Sequence, residues 1–367
     1  MKIVVTGANG FLAKNLCVFL KEKDRYDVIE ITRNTPNNQL LKHLNDADFI
    51  YHLAGVNRPK NVEEFQAGNA DLTKFIIESL IESESQTPIV YSSSVQAELD
   101  NPYGKSKLEA EKSILFYSEI TGSRYYIYRF PNLFGKWSKP NYNSFVSTFC
   151  HNILNDIDIE VHDRMAEVNL AYVDDVCESL LLLLDNTCDQ GYQNNFKEYL
   201  TTVGDVADII ASFKDSRETL LSERVGKGLI RALYSTYLSY MTPDKFAYDI
   251  PTHADERGIF CEILKTKDSG QFSFFTAHPG VTRGGHYHHT KNEKFLVIKG
   301  IASFKFKHIV TGERYDLSTS EKNLKIVETI PGWAHDITNI GDGDLVVMLW
   351  ANEIFDRERP DTITKLL

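Results

Sequence analysis

The sequence predicts two domains of different class: an α/β domain with a doubly wound parallel sheet over 1–245, then an all-β domain over 246–367. Three observations carry this. Apolar strand-like runs alternate with helical stretches through the first part of the chain. Two glycines stand between the first strand and the first helix. Beyond Met241-Thr242-Pro243-Asp244, which reads as a hinge, long helices give way to short strands punctuated by turn residues. At 367 residues the chain is also too long for one ordinary core.

Composition narrows the partners. A net charge of −11 argues against nucleic acid or an anionic membrane. The most apolar stretch, Leu180 to Leu184, is too short to span a bilayer, and the N-terminus enters a strand without a signal-peptide pattern. Cys17, Cys150, Cys177, Cys188 and Cys261 form no CxxC and read as reduced thiols of a cytoplasmic protein. A homodimer is the expected assembly.

The first strand, Lys2 to Thr6, runs into Gly7-Ala8-Asn9-Gly10-Phe11-Leu12-Ala13 and a helix carrying Leu16, Phe19 and Leu20. Glycines at this spacing allow a tight turn and close approach of backbone to a pyrophosphate, and the helix N-terminus offers free N–H groups to the anion. This Rossmann-type pattern makes Gly7, Asn9, Gly10, Phe11 and Leu12 candidate dinucleotide contacts. The next strand, Asp27 to Thr32, ends at Arg33. An NAD site usually has a carboxylate there for the ribose 2′-OH, whereas a guanidinium suits a 2′-phosphate, so the expected cofactor is NADPH. A third strand, Asp48 to His52, leads into Leu53-Ala54-Gly55, whose small end lets the cofactor approach, while His52 reads as packed in the sheet.

Pro88 to Ser94 is a strand ending in hydroxyls, where ligands bind in an open α/β sheet. After it comes Asn101-Pro102-Tyr103-Gly104-Lys105-Ser106-Lys107, with Asn101 placed to cap a helix and Pro102 suited to its first turn. Tyr103 and Lys107, four residues apart, share a helix face. A fixed cation beside a phenol favours the phenolate, so the expected Tyr103 pKa is lowered toward the working range.

These residues resemble the extended short-chain dehydrogenase/reductase family of nucleotide-sugar enzymes, through TGANGFLA (6–13), HLAG (52–55), the serine strand, YGKSK (103–107), RFPNLFG (129–135) and YVDDV (172–176). The resemblance implies that Ser94 and Tyr103 polarise and protonate a substrate carbonyl, with Ser93 the alternative serine, and that Lys107 also holds the nicotinamide ribose. It implies a substrate contact at Asn132, with Asp174 and Asp175 ordering a nearby loop.

Helices are expected at Cys177–Leu184, Val203–Phe213 and Lys227–Tyr240. Strands follow at Gly258–Lys265, Gln271–Ala277, Lys294–Ile298, Ala302–His308, Lys325–Glu328 and Leu345–Ala351, a density that suggests a β-sandwich or barrel. Among them lie Gly280-x5-His286-x-His288-x4-Glu293-x6-Gly300 and Pro331-Gly332-x2-His335-x3-Asn339. His286 and His288 alternate along an extended segment and so point to one side; with Glu293 and His335 they suit zinc or another first-row divalent ion. His289 reads as outward-facing. The segment resembles the cupin family, differing in that Pro331 abuts Gly332 directly, and the resemblance implies a cupin barrel.

Through NPYGKSKLEAEK (101–112), HHTKNEKF (288–295) and FDRERPDT (355–362), the whole chain is similar to the bifunctional capsular-polysaccharide enzymes of UDP-N-acetyl-L-fucosamine synthesis. That similarity implies a UDP-4-keto-amino-sugar substrate, UDP-2-acetamido-2,6-dideoxy-4-hexulose. It implies C3 epimerisation in the cupin domain, then NADPH-dependent C4 reduction to the L-talose product in the first domain. Two other readings stand beside it: a dehydratase or epimerase that keeps its NADP and binds sugar in the cupin, and a non-catalytic binding module. Net NADPH consumption separates them.

Overall fold

The computed structural model describes residues 1–142, 144–185 and 188–367. It forms two compact units, one of Met1–Ile210 with Arg231–Met241, the other of Ala211–Ile230 with Thr242–Leu367.

In the first unit strands and helices alternate: β1 (Lys2–Thr6), α1 (Phe11–Lys21), β2 (Asp27–Ile31), α2 (Asn37–Asn45), β3 (Phe49–His52), α3 (Glu63–Phe65), α4 (Leu72–Glu82), β4 (Ile89–Ser94), α5 (Pro102–Thr121) and β5 (Tyr125–Phe130). Then come β6 (Asn132–Phe134), α6 (Phe145–Leu154), β7 (Glu167–Tyr172), α7 (Val173–Leu182), β8 (Gly191–Gln193), β9 (Glu198–Thr202) and the start of α8 (Val203–Thr219), whose residues from Ala211 onward belong to the second unit. The main sheet is wholly parallel, in the order β2-β1-β3-β4-β5-β8. Its order reverses between β1 and β3, so the carboxyl ends of these two strands flank the switch point where open α/β sheets bind ligands. Strands buried on both faces must be apolar throughout, and Val4, Ile50, Ile89 and Ile127 pack with Ile76, Leu80, Ala110 and Ile114 from the helices. The capping residues place α5: the Asn101 side chain accepts from Gly104 N at 2.8 Å, Pro102 opens the helix, and left-handed Gly122 ends it.

The second unit contains β10 (Leu221–Ser222), β11 (Thr252–Asp255), β12 (Gly258–Thr266), β13 (Gly270–Ala277), β14 (Thr282–Tyr287), β15 (Glu293–Lys299) and β16 (Ile301–His308). It continues with β17 (Arg314–Ser320), β18 (Ile326–Glu328), β19 (Trp333–Asn339), β20 (Leu345–Ala351) and β21 (Ile363–Thr364). Two sheets, β10-β12-β13-β20-β15-β18 and β17-β16-β19-β14-β21, make the cupin-type barrel, antiparallel except for the β10–β12 pair. Inward alternation along β15, β16 and β20 supplies the core: Phe295 and Val297, Ala302, Phe304 and Phe306, Leu345, Val347 and Leu349.

Residues 211–230 were expected within the 1–245 domain, yet they group with the second unit. The reason is a distant pairing: Leu221 and Ser222 register with Lys265 and Thr266, and Arg224 pairs with Asp268 at 2.9 Å. Neither contact leaves a trace in local periodicity.

Candidate cofactor cleft and metal centre

At the switch point the first unit holds a cleft of about 760 Å³. Thr6, Gly7, Asn9 and Gly10 line one wall, Leu53, Ala54 and Gly55 another, and Thr32 and Arg33 one end. Gly7 is required here twice over. Its φ is +70°, and a Cβ would stand 2.7 Å from Ala54 Cα, so the loop could not approach the end of β3. The α1 helix starts at Phe11, leaving the Phe11 and Leu12 amides without intrahelical acceptors, while the Leu12 side chain is buried, so what Leu12 offers a ligand is backbone. Arg33 is exposed at the cleft end, and Glu64 is the one carboxylate among the lining residues. His52 is buried between Thr6 Oγ1 (2.8 Å) and Thr73 Oγ1 (2.9 Å), and burial pushes its pKa down to about 3, so it serves the sheet.

The β4 hydroxyls divide by the alternation of the strand. Ser93 is buried and donates to Glu111, which also takes two hydrogen bonds from Arg129, at 3.0 Å and 2.7 Å, and one from Tyr192 at 3.0 Å. Ser94 faces the other way, its Oγ accepting from Gln96 N at 3.2 Å and its hydroxyl acting on the Tyr103 phenol. Of the two serines, Ser94 is the one brought to the tyrosine.

Lys107 is buried, its Nζ donating to Ser92 O at 2.9 Å and lying 5.0 Å from the Tyr91 ring centroid and 5.9 Å from that of Tyr103. A Cβ on Gly55 would stand 3.0 Å from this Nζ, so the missing side chain leaves room for the ammonium directly behind the cleft wall. Burial lowers the Lys107 pKa to about 8, with Glu111 acting against the drop. The expectation for Tyr103 is corrected: its pKa is raised, because burial opposes the phenolate more than the Ser94 hydroxyl helps it. The phenol therefore stays protonated, which suits a proton donor.

Asn132 is exposed on β6, its Nδ2 3.5 Å from Asn169 O. Asp174 pairs with Lys136 and accepts from Tyr172 Oη at 2.9 Å, while Asp175 accepts from Tyr199 Oη at 3.0 Å and pairs with Arg231 at 3.3 Å. Both aspartates thus tie segments of the first unit together. Two residues of this region were missed from the sequence. Asn69, in a π-helical turn, bonds Val56 N, Val56 O and Ser106 Oγ beneath the cleft, and no pattern announces it. Glu111 continues the Tyr103–Lys107 face by one more turn, a signal that was legible.

In the second unit His286, His288, Glu293 and His335 bring one ligand atom each to within 4.8 Å of one another. β14 and β19 are neighbours in register, His286 opposite His335. His288 lies just past the end of β14, and Glu293 opens β15. Pro331-Gly332 forms a tight turn: Trp333 N donates to Ile330 O at 3.0 Å, Gly332 takes φ +79°, and its N–H donates to His288 O at 2.9 Å. The absent intervening residue therefore leaves the motif intact. His289 is exposed.

The donors fit a first-row divalent ion. His288 Nδ1 faces the carbonyl of Asp361, which fixes the proton on that nitrogen and leaves the Nε2 lone pair toward Glu293 Oε2 at 3.2 Å. His335 Nε2 is 3.5 Å from the same oxygen. Ligand atoms around a tetrahedral ion with bonds of about 2.1 Å stand roughly 3.4 Å apart. Burial pushes the His286 pKa down to about 4, keeping a nitrogen lone pair available at neutral pH. Burial raises the Glu293 pKa, but the polar groups around it, the Lys291 ammonium among them, outweigh it and hold the carboxylate ionised. Lys291, also missed from the sequence, is buried with Nζ 3.0 Å from Glu293 Oε1.

The model of the NAD dependent epimerase/dehydratase family matches residues 3–195, and that of the polysaccharide biosynthesis C-terminal domain matches 253–363. The chain is 53% identical to a UDP-2-acetamido-2,6-beta-L-arabino-hexul-4-ose reductase of Pseudomonas aeruginosa, over 99% of this chain and 98% of that one. The crystal structure of the capsular polysaccharide assembling protein CapF of Staphylococcus aureus superposes with a TM-score of 0.92 at 40% identity, covering all of both chains. A UDP-glucose 4-epimerase of Thermotoga maritima, 17% identical, matches 65% of this chain and 98% of its own with a TM-score of 0.56 and so shares the fold of the first part.

Proposed function

Since the chain belongs to the NAD dependent epimerase/dehydratase family and carries a polysaccharide biosynthesis C-terminal domain, we propose that it is an NADPH-dependent reductase of a UDP-4-keto sugar, joined to a C3 epimerase. The observation that carries the reductase is the meeting of Ser94, Tyr103 and Lys107 beside the cleft that Gly7 and Gly55 open.

In this reading the cofactor spans the cleft, with its pyrophosphate at the Gly7–Leu12 loop and its 2′-phosphate at Arg33. Bound NADPH supplies hydride to C4 of the sugar. Ser94 hydrogen-bonds the C4 oxygen and orients it. Tyr103, kept protonated by burial, donates its proton to that oxygen as negative charge develops there. The buried Lys107 ammonium supplies positive charge beneath the reacting groups and holds the nicotinamide ribose. Asn132 stands on the substrate side.

His286, His288, Glu293 and His335 hold a divalent ion, zinc being the first choice, in the second unit. Bound there, the ion supplies Lewis acidity toward a ketone. The C3 proton is acidic only while C4 is a carbonyl, so epimerisation precedes reduction and reduction locks the new configuration. The expected substrate is UDP-2-acetamido-2,6-dideoxy-4-hexulose and the product UDP-2-acetamido-2,6-dideoxy-L-talose, made in the cytoplasm for a capsular polysaccharide or O-antigen. A homodimer is the proposed assembly.

The test is to incubate the purified protein with this 4-keto sugar and NADPH, following absorbance and product by NMR. Stoichiometric NADPH oxidation is expected. Turnover of the sugar with no net NADPH consumed would overturn the reductase in favour of internal redox cycling.

A further inference from the structure

The closing FDRERPDT stretch has no part in the function above, yet it reaches the metal centre. Asp361 Oδ2 accepts from three successive backbone amides of the loop between β14 and β15: Thr290 N at 2.7 Å, Lys291 N at 2.9 Å and His289 N at 3.1 Å. Oδ1 also accepts from His289 N at 2.9 Å, and Thr290 Oγ1 donates to Oδ2 at 3.1 Å. The main-chain carbonyl of the same residue takes the His288 Nδ1 proton. Two residues on, β21 pairs antiparallel with β14, His286 opposite Thr364 and Tyr287 opposite Ile363, and Lys365 N donates to Gly285 O at 2.8 Å.

We infer that the C-terminal segment 361–365 is a built part of the metal centre, with Asp361 the positioning residue that sets the ligand loop. This inference rests on the reading of the four donors as a metal site. The loop carries ligands at both ends, His288 and Glu293, and between them His289 and Thr290 are exposed. Such a short turn does not hold its own geometry, because its successive N–H groups converge and need one acceptor that can serve them all. A carboxylate does this with charge-assisted bonds. The carbonyl then fixes the tautomer of His288, so one residue controls both the position of the loop and which nitrogen faces the ion. Pairing of β21 with β14 holds His286 from the same side.

Zinc is titrated against a chromophoric chelator into the metal-stripped full-length chain, its Asp361→Ala, Asp361→Asn and Asp361→Glu variants, and a chain ending at Pro360. Zinc affinity should fall about 10- to 100-fold in Asp361→Ala, as expected for lost support of a ligand, and at least as far in the truncated chain. Asp361→Asn, which keeps an acceptor without the charge, should fall between, and Asp361→Glu should recover part of the loss. NADPH affinity should be unchanged throughout. The visible spectrum of the cobalt-substituted protein should change in Asp361→Asn, a readout of ligand geometry that general destabilisation does not move. If Asp361→Ala fails to fold, Asp361→Asn decides. Wild-type affinity and cobalt spectrum in Asp361→Asn, or wild-type affinity in the truncated chain, overturn the inference and leave the metal centre standing. A wild-type chain that binds no first-row ion overturns both.

Discussion

Lys107 and Glu111 stand one helical turn apart on α5, both buried, with the carboxylate opposing the loss of the lysine's proton. Arg129 closes the set from β5 by binding both oxygens of Glu111. The charge under the proposed reacting groups is therefore held by a network behind them, and its persistence depends on pH.

With the Lys107 pKa near 8, the ammonium is present below that pH and lost as pH rises through it. kcat/KM for C4 reduction, which reports the free enzyme, should fall on the alkaline side with a limb near 8. Glu111→Gln removes the opposing negative charge and should move that limb to lower pH. A limb that stays in place in this variant would show that some other group sets it.

Arg129→Met should destabilise the protein by about 3 kcal/mol, because the fully buried Glu111 carboxylate loses its bidentate partner. Chemical denaturation measures this. A loss under about 1 kcal/mol would mean that water reaches Glu111.

Tyr103→Phe should lower the reduction rate about 10²- to 10⁴-fold, the range of general acid catalysis, while NADPH binding persists. Ser94→Ala should also slow reduction, whereas Ser93→Ala should act on stability, since Ser93 faces Glu111. Near-wild-type turnover of the Tyr103→Phe variant would falsify the acid assignment.

Arg33→Asp should weaken NADPH far more than NADH, because the 2′-phosphate loses a charge-assisted partner at the cleft end. Fluorescence titration with both cofactors checks it. Wild-type protein that prefers NADH would sink this role for Arg33.

His288→Ala should release the metal and abolish solvent-deuterium exchange at C3 while NADPH still binds; Tyr103→Phe should show the reverse pattern, with exchange persisting and oxidation stopped. NMR of the sugar nucleotide in deuterated buffer reads the first and absorbance the second. Full C3 exchange by metal-stripped protein would leave the ion a structural role.

The sequence by itself determined what local chirality and periodicity encode. A strand followed by Gly7 and Gly10 makes a tight turn before a helix, a four-residue interval puts Tyr103 and Lys107 on one helix face, and the alternation of His286 and His288 with the later Glu293 and His335 supplies the candidate donor set. Tertiary structure alone decided the rest, because each remaining question turned on a partner far away in the chain. Ser94 rather than Ser93 faces Tyr103 because Ser93, on the opposite face of β4, gives its hydroxyl to Glu111 from α5, itself bound by Arg129 from β5. The Tyr103 pKa rises rather than falls because burial, which no spacing reveals, outweighs the help of the Ser94 hydroxyl. Gly7 cannot be replaced because β3 brings Ala54 against it, and Asp361 joins the ligand loop from the end of the chain. Faces are written locally; what each face meets is set only when distant segments pack.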